Sequence, residues 1–360
     1  MRILSLFGGI ETGLIALKEL GIKIENYYSS EIDKYAIAVA KYNHPEIQHL
    51  GDINDYQKWQ LPKIDLVIGG SPCQGFSFAG KQLNFNDPRS ELFFKFVEIL
   101  WMIRENNPDV KFLLENVKMK KEYQNAISEL LEVDPILINS NLVSAQNRKR
   151  LYWCNWHTEQ PKDKNVLLKD IIGPNSVGVI KNNGLLKIRN NKSYCIDANY
   201  YKGIDNHGQR TFIIDGEIKS CLNIVRQRKR GKNPGGFRFN KSPSMSTSSW
   251  TDNVHVFQFS HGCSVGGIRN LEKCPTLSSQ FHNNYFPLND ESCLEWLSLL
   301  PYKILRGLKI IRKFHRHELE SLQTLPHGYT KSVSYTQSAK SIGNGWTKDI
   351  IKHILSQIKS

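Results

Sequence analysis

Several common sequence features are missing from this chain, and each absence narrows its possible functions. No apolar run approaches the roughly 18 residues that a membrane helix needs. The first residues lack the long apolar segment and the small-residue cleavage site of a signal peptide. The seven cysteines include no CxxC pair, which argues against a disulfide framework and a closed zinc site. We therefore expect a protein of the reducing cytoplasm that requires no metal.

Acidic residues are scarce relative to basic ones. The 360 residues include 34 Asp and Glu against 48 Lys and Arg, which gives a formal net charge of +14. A charge of this sign and size favours a polyanionic partner such as nucleic acid, although solubility alone would also explain it. Hydrophobic residues make up 40% of the sequence, enough for one large domain or for two that share a cleft.

The first 155 residues alternate between apolar runs and segments with helical spacing. Residues 2–7, 64–68 and 111–114 are typical of buried strands. Such alternation predicts a mostly parallel sheet covered by helices, with its functional site at the carboxyl ends of the strands. After residue 156 the pattern changes to short strands and turns, and residues 181–240 carry thirteen basic against four acidic residues. Isoleucines and a leucine at helical spacing in 350–358 predict a last helix that packs back on the first domain.

Small residues and two acids follow the first three strand-like segments. Residues 7–13 read FGGIETG, which lets the backbone approach a ligand at a helix N-terminus. Glu31, 18 residues after Gly13, suits ribose hydroxyls, and Asp52 suits an adenine amino group. Because GxGxxG is absent, an adenosine ligand other than a nicotinamide cofactor is favoured. A structural turn and an Asx turn are the ordinary alternatives.

The residues suited to chemistry follow later strand ends. Cys73, beside a proline at the end of a strand, is placed like an exposed nucleophile, although most lone cysteines are core residues. The polar loop from there to Arg89 is expected to close over a substrate. Glu115 ends the next strand, where it can donate or share a proton. Arg148 and Arg150 alternate on an extended segment, so both point to one side, although either alone could be a solvated strand edge.

Taken in order, these segments resemble the motifs of the cytosine-C5 DNA methyltransferases. The resemblance covers nearly all of residues 1–155 and again about 312–358. It rests on these segments: Phe7-x-Gly9, Glu31, Asp52, Pro72-Cys73-Gln74, the loop 75–81 with Asp87-x-Arg89, Glu115-Asn116-Val117, Gln146-x-Arg148-x-Arg150, the scaffold-like segment 320–330, and Gly343-Asn344-Gly345-Trp346.

Two positions depart from the family pattern without removing a catalytic group. The first loop reads Ile10-Glu11-Thr12-Gly13 where bacterial members commonly carry further glycines, and Trp346 stands where the last motif usually ends in valine. Both features are similar to the vertebrate de novo enzymes, whereas the catalytic loop resembles bacterial and phage members.

The resemblance implies a fold and a cofactor. The fold is the class I S-adenosylmethionine-dependent methyltransferase fold, a Rossmann-like α/β fold with a mostly parallel sheet, and a smaller, strand-and-loop-rich target recognition domain. The catalytic and cofactor-binding domain is expected at 1–160, completed by 331–360, and the recognition domain at 161–330. The cofactor is S-adenosyl-L-methionine, converted to S-adenosyl-L-homocysteine, and the residues expected to bind it are Phe7, Gly9, Ile10, Glu11, Thr12, Glu31, Ile32, Asp52, Ile53, Pro72, Leu92, Asn344 and Trp346.

The resemblance also implies a reaction and a substrate. Cys73 would add to C6 of a cytosine flipped out of duplex DNA, a protonated Glu115 would stabilise N3, and Arg150 with Arg148 would stabilise O2. A cognate restriction endonuclease is the protein partner this implies, and no stable complex is required. The residues expected to contact DNA are Gln74, Ser77, Arg89, Arg226, Arg228, Lys229 and Arg230.

Three alternatives remain open. The same family contains an enzyme that methylates cytosine in transfer RNA, but it has little room for a recognition domain, whereas about 160 residues separate Trp153 from Lys313 here. A catalytically inactive DNA-binding homologue would typically have lost the cysteine, the glutamate or the arginine pair, and all are present. A nucleotide-binding dehydrogenase is disfavoured by the absence of GxGxxG.

Overall fold

The structure is a computed structural model that describes residues 1–71, 91–174, 176–182, 185–203, 209–215 and 311–358 and six short strands between 218 and 286. Within these ranges, no helix combines the length and the apolar composition needed to cross a membrane.

One mixed sheet organises the first part of the chain. Its strands run in the order β3-β2-β1-β4-β5-β8-β6. The first five of these are parallel, and β8 is antiparallel to both β5 and β6, so the predicted mostly parallel sheet is confirmed. The strands up to this point are β1 (Arg2–Leu6), β2 (Asn26–Ser30), β3 (Gln48–Gly51), β4 (Leu66–Gly69), β5 (Lys111–Val117), β6 (Ile136–Asn139), β7 (Gln146–Asn147) and β8 (Lys149–Cys154).

Helices cover both faces of this sheet because alternate strand residues point to opposite sides. In β5, Leu113 belongs to one core cluster, and Phe112 and Leu114 to the other. Each buried side chain of this size contributes roughly 1.5–3 kcal/mol to stability. The described helices are α1 (Thr12–Glu19), α2 (Lys34–Asn43), α3 (Glu91–Asn106), α4 (Lys121–Leu131), α5 (Leu168–Ile172), α6 (Arg316–Leu322), α7 (Tyr335–Asn344) and α8 (Lys348–Leu355).

The last helix packs against the first one, as its apolar spacing predicts. Ile350, Ile351 and Ile354 of α8 are fully buried in the core cluster that contains Leu14 and Leu17 of α1. Lys348 and Lys352 both reach the Glu19 carboxylate at the end of α1, at 2.7 and 2.9 Å. Helix α8 therefore completes the layer that covers one face of the sheet.

The region after residue 160 is rich in strands, as expected. A four-stranded antiparallel sheet has the order β10-β9-β12-β19, and the short β11 pairs in parallel with β7. The further strands are β9 (Ser176–Asn182), β10 (Leu185–Ile188), β11 (Ser193–Tyr194), β12 (Thr211–Asp215), β13 (Ile218–Lys219), β14 (Ile224–Gln227), β15 (Gly236–Phe239), β16 (Val256–Gln258), β17 (Gly267–Arg269), β18 (Tyr285–Phe286) and β19 (Ile311–Arg312).

The proposed boundary at residue 330 falls inside a shared core. Leu319 and Leu322 of α6 belong to the same core cluster as Ile10 and Ile342, which come from the two ends of the predicted catalytic domain. The same cluster includes Val179 of β9 and Phe212 of β12, so α6 packs against both predicted domains, and the domain limits stay a prediction.

Candidate active site

A cavity of about 510 Å³ opens at the carboxyl ends of β1, β2, β4 and β5. This is the end of a doubly wound sheet at which ligands bind, and the volume suits a nucleoside-sized molecule. Many of the residues predicted from the sequence line it together: Phe7, Gly9, Glu31, Ile32, Asp52, Ile53, Leu92, Glu115, Arg148, Arg150 and Asn344.

Glu31 ties two turns together at the cavity wall. Its Oε2 accepts a hydrogen bond from the Gly9 N–H at 2.8 Å, and its Oε1 accepts from the N–H groups of Ile32 and Asp33, both at 2.8 Å. Beside it the Ile32 side chain is 72% exposed, which is unusual for a large apolar residue and leaves a surface for a flat apolar ring. This part of the wall therefore combines the fixed carboxylate oxygens of Glu31 with the apolar surface of Ile32.

Asp52 is held by the turn that follows β3. Its Oδ1 accepts from the Asn54 N–H and from Asn54 Nδ2, at 2.9 and 3.0 Å, which caps a short 3-10 helix. The Asx turn expected as the ordinary alternative is therefore present. It places the carboxylate at the cavity and does not exclude a ligand contact.

Three predicted cofactor residues lie inside the protein rather than on the cavity wall. Ile10, Glu11 and Thr12 are all buried, and their side chains are not among those that line the cavity. Their predicted cofactor contact stays a prediction. Tyr329 contributes to this packing, because its hydroxyl donates to the Ile10 carbonyl at 2.7 Å.

The buried Glu11 side chain stabilises the loop formed by residues 7–13. Its carboxyl accepts hydrogen bonds from the hydroxyls of Tyr27 and Ser5, at 2.7 and 3.0 Å, and from that of Ser29. Burial raises the pKa of Glu11 to about 7, although the three hydroxyls act in the opposite direction. A Cβ at Gly8 would overlap the Glu11 carboxyl, which is why glycine is required there.

Glu115 is nearly buried and is held at both oxygens. Its Oε1 lies 2.9 Å from Arg150 Nε, and its Oε2 accepts from Trp346 Nε1 at 3.0 Å. A base that binds Glu115 therefore either shares an oxygen with one of these donors or displaces it. Trp346 was expected to contact the cofactor, but its indole N–H points to Glu115, and its side chain is not part of the cavity wall.

The two arginines point to the same side, as their alternation predicts, but they have different surroundings. Arg148 is only 4% exposed and donates to the carbonyls of Ile196 and Gly345, at 2.9 and 2.8 Å. These bonds hold the Arg148 guanidinium against the backbone at the edge of the cavity. Arg150 instead forms the ion pair with Glu115, so it is the better placed of the two for substrate contact.

Cys195 lies next to both arginines and was not predicted as a site residue. Its Sγ lies 3.3 Å from Arg148 Nη1 and 3.9 Å from Arg150 Nη2. Burial alone would raise the pKa of this thiol, but the two guanidiniums outweigh it and lower the pKa. No spacing rule links Cys195 to these arginines, because β11 brings it to them through its pairing with β7.

Other residues line the cavity that the sequence analysis assigned no contact, although Asn116, Val117 and Gly343 stand in its motifs. Most of them are next to predicted residues in the chain, so extending each prediction to its neighbours would have included them. They are Ser30, Asp33, Ala36, Asn54, Gly70, Ser71, Asn116, Val117, Ser341 and Gly343.

Several predicted residues lie outside the described residues, including the proposed nucleophile. Of Arg226 only the strand backbone is described. Ser71, which precedes the segment 72–90, and Leu92, two residues after it, both line the cavity, and Asn116 Nδ2 donates to Ser71 Oγ at 3.1 Å. The predicted residues outside the described part are Pro72, Cys73, Gln74, Ser77, Arg89, Arg228, Lys229 and Arg230.

Comparison with known proteins identifies relatives by sequence. The orphan methyltransferase M.SPRI of Bacillus phage SPR is 39% identical over 165 residues, 42% of this chain and 37% of the relative. The type II methyltransferase M.HhaI of Haemophilus parahaemolyticus is 33% identical over 198 residues, 49% of this chain and 58% of the relative. The chain thus matches less than two thirds of the length of these curated relatives.

Solved structures agree on the fold, and a family model covers the chain. A Dnmt2 methyltransferase of S. pombe gives a TM-score of 0.58 at 15% identity, over 99% of this chain and 97% of that one. A DNMT2 of Spodoptera frugiperda gives 0.55 at 20% identity, over 99% and 98%. At these identities the likeness concerns the fold. The model of the C-5 cytosine-specific DNA methylases matches residues 1–360, so this chain belongs to the C-5 cytosine-specific DNA methylase family.

Proposed function

We propose that this chain is a DNA (cytosine-5)-methyltransferase that uses S-adenosyl-L-methionine to methylate cytosine in a specific sequence of duplex DNA. The observation that carries the proposal is a shared cavity. Glu31 and Asp52, which suit an adenosine group, line the same space as Glu115 and Arg150, which suit a pyrimidine ring. A methyl group can pass directly between two ligands only when their sites meet in this way.

The chemistry of the cavity wall fits the proposed cofactor. Glu31 has carboxylate oxygens at the wall for ribose hydroxyls, Asp52 can accept from the adenine amino group, and exposed Ile32 offers an apolar surface to the adenine ring. When bound, S-adenosyl-L-methionine supplies an electrophilic methyl group, and S-adenosyl-L-homocysteine is the product. Among the described residues, no group of three or more His, Cys, Asp or Glu is arranged to hold a metal ion.

Cytosine C5 is a poor nucleophile, and side chains of this protein are proposed to activate it. Adding the Cys73 thiolate to C6 forms a covalent bond and makes C5 nucleophilic. Glu115 then holds N3 and the exocyclic amino group, and Arg150 stabilises charge that develops toward O2. After methylation, a base or a water molecule removes the C5 proton, and the bond from Cys73 to C6 breaks. The target cytosine must leave the base stack to reach this cavity.

The remaining contacts are proposed from charge and sequence. Gln74, Ser77 and Arg89 are assigned to the DNA near the target base, and the basic residues around 226–230 to the duplex. Relatives named as type II methyltransferases favour a restriction-modification context with a cognate endonuclease, in the cytoplasm of a bacterial or phage-infected cell.

Tritium-labelled methyl transfer tests the function. The whole chain is incubated with labelled S-adenosyl-L-methionine and either genomic DNA or total transfer RNA, and bisulfite sequencing then maps the modified positions. We expect label in DNA as 5-methylcytosine at one recurring sequence. Label only in transfer RNA would favour the RNA-modifying alternative, and label in neither substrate would contradict the proposal.

Removing either adenosine acid is expected to weaken cofactor binding. In Glu31→Ala and Asp52→Ala, the loss of a hydrogen bond to a charged group predicts a roughly 10- to 100-fold higher Kd for S-adenosyl-L-methionine by equilibrium dialysis. Glu25→Ala is the matched control, because Glu25 precedes β2 and Glu31 follows it. Wild-type affinity in both acid variants would place the adenosine site elsewhere.

Neutralising the basic cluster is expected to weaken DNA binding on all sequences. When Arg226, Arg228, Lys229 and Arg230 are replaced by glutamine, each lost phosphate contact makes the slope of log K against log salt less negative by about 0.9. Fluorescence anisotropy at several salt concentrations measures this slope. The control makes the same change in charge at exposed lysines of the first domain: Lys23, Lys58, Lys63 and Lys121. If the DNA affinity and the salt dependence are unchanged, the four basic residues do not contact DNA, and the cluster is a solvated surface loop.

A further inference from the structure

We infer that Trp346 is a positioning residue for Glu115, because its indole N–H holds Oε2 in place while the carboxyl exchanges its ion pair with Arg150 for the substrate base. The inference rests on the proposed function, since the contact has a catalytic consequence only if Glu115 binds cytosine. It assigns to Trp346 a role that differs from the cofactor contact expected from the sequence.

The two donors of Glu115 hold different oxygens. Trp346 Nε1 donates to Oε2 at 3.0 Å, and Arg150 Nε lies 2.9 Å from Oε1. When a base takes Oε1, the Glu115 carboxyl loses its bond to Arg150. The terminal torsion of a glutamate is broad, so a carboxyl without another donor could rotate away from the base. Trp346 prevents this rotation because it keeps its hold on Oε2.

One glycine, Gly70, provides the space for the indole, and a second, Gly13, lies near it. A Cβ at Gly70 would lie 2.9 Å from Trp346 Nε1 and 3.1 Å from Glu115 Oε2. A Cβ at Gly13 would lie 3.5 Å from Trp346 Cζ3. The indole thus lies between the first loop of the chain and the strand end that leads to Cys73, and the hydrogen bond to Glu115 packs directly on Gly70.

The backbone on either side of Trp346 is also fixed. The Gly345 carbonyl accepts from Arg148 Nη2 at 2.8 Å, and Thr347 Oγ1 donates to Gln323 Oε1 at 2.7 Å. These contacts lie in the turn between α7 and α8 and restrain the position of the indole. A donor held in this way can orient a reacting carboxyl without touching the substrate.

The test compares two tryptophan variants of the whole chain. Trp346→Phe keeps the ring but removes the N–H, and Trp156→Phe removes an N–H that donates to the Ile354 carbonyl at 3.1 Å, away from the cavity. For Trp346→Phe we expect kcat to fall about tenfold or more, with KM for cofactor and DNA within about twofold of wild type. Trp156→Phe is expected to keep the wild-type kcat.

Other outcomes separate this inference from the proposed function. Wild-type kcat in Trp346→Phe, or a loss confined to the KM of the cofactor, would overturn the positioning role while wild-type activity still supports the function. A wild-type chain that does not methylate DNA would instead refute the proposed function. Thermal unfolding shows whether Trp346→Phe is folded. If it is not, Gly70→Ala is used instead, because its Cβ displaces the contact between Trp346 and Glu115. An unchanged kcat in Gly70→Ala would overturn the inference.

Discussion

Replacing Cys73 by serine is expected to lower the rate of methyl transfer by about four orders of magnitude or more, while DNA affinity stays at the wild-type level. A serine hydroxyl is largely un-ionised at neutral pH and is a far weaker nucleophile than a thiolate, and loss of a nucleophile typically has an effect of this size. Single-turnover transfer of labelled methyl groups measures the rate, and fluorescence anisotropy measures DNA binding.

The control for this prediction is a second cysteine in a different setting. Cys154 is buried at the end of β8, where its Sγ lies 3.3 Å from Thr158 Oγ1, so Cys154→Ser retains a polar partner and is expected to keep its activity. Duplex DNA with 5-fluorocytosine at the target position should form a covalent adduct with the wild-type chain. Mass spectrometry that finds no adduct at Cys73 would contradict the covalent mechanism.

Replacing Glu115 by glutamine is expected to lower the rate of methyl transfer by roughly 10²–10⁴-fold, the range typical of a positioned acid–base group. Both oxygens of Glu115 face donors, since Oε1 pairs with Arg150 Nε and Oε2 accepts from Trp346 Nε1. A glutamine has one acceptor and one donor at these positions, so its NH₂ group must face one of the two donors. Single-turnover methyl transfer and the rate of adduct formation with 5-fluorocytosine DNA measure the loss.

A surface glutamate provides the control for Glu115. Glu122 on α4 has a side chain that is 63% exposed and lies 3.7 Å from Lys120, so Glu122→Gln makes the same substitution without touching the cavity. We expect wild-type transfer and adduct formation from it. A Glu115→Gln enzyme that forms the adduct and transfers methyl groups at the wild-type rate would remove Glu115 from the reaction.

Local sequence patterns predict the strand ends and the last helix because both depend on neighbours in the chain. The apolar run that becomes β4 stops at Gly69, and Glu31 directly follows β2, so the parallel order of the strands brings their carboxyl ends to one edge. The stripe in 350–358 predicts α8 because a one-sided apolar helix must cover a core. These features position the cavity.

Contacts between distant parts of the chain could not be predicted in this way. The hydrogen bond from Trp346 to Glu115 joins residues 231 positions apart. The valine that is usual at position 346 has no side-chain N–H and could not form this bond. Arg148 was expected at the substrate because of its motif, but the backbone carbonyls that surround it are fixed only by packing of later segments. The position of Cys195 likewise depends on the pairing of β11 with β7.

The contact between α1 and α8 has a consequence for synthesis of the chain on the ribosome. Every strand of the main sheet has been made once Cys154 emerges, but the helix that completes one of its faces begins only at Lys348. At about 5–20 residues per second, the roughly 190 intervening residues take about 10–40 s to translate. During that time helix α8 is not yet available to pack against the apolar surface of α1 around Leu14 and Leu17. The nascent protein therefore exposes part of its apolar core until α8 docks.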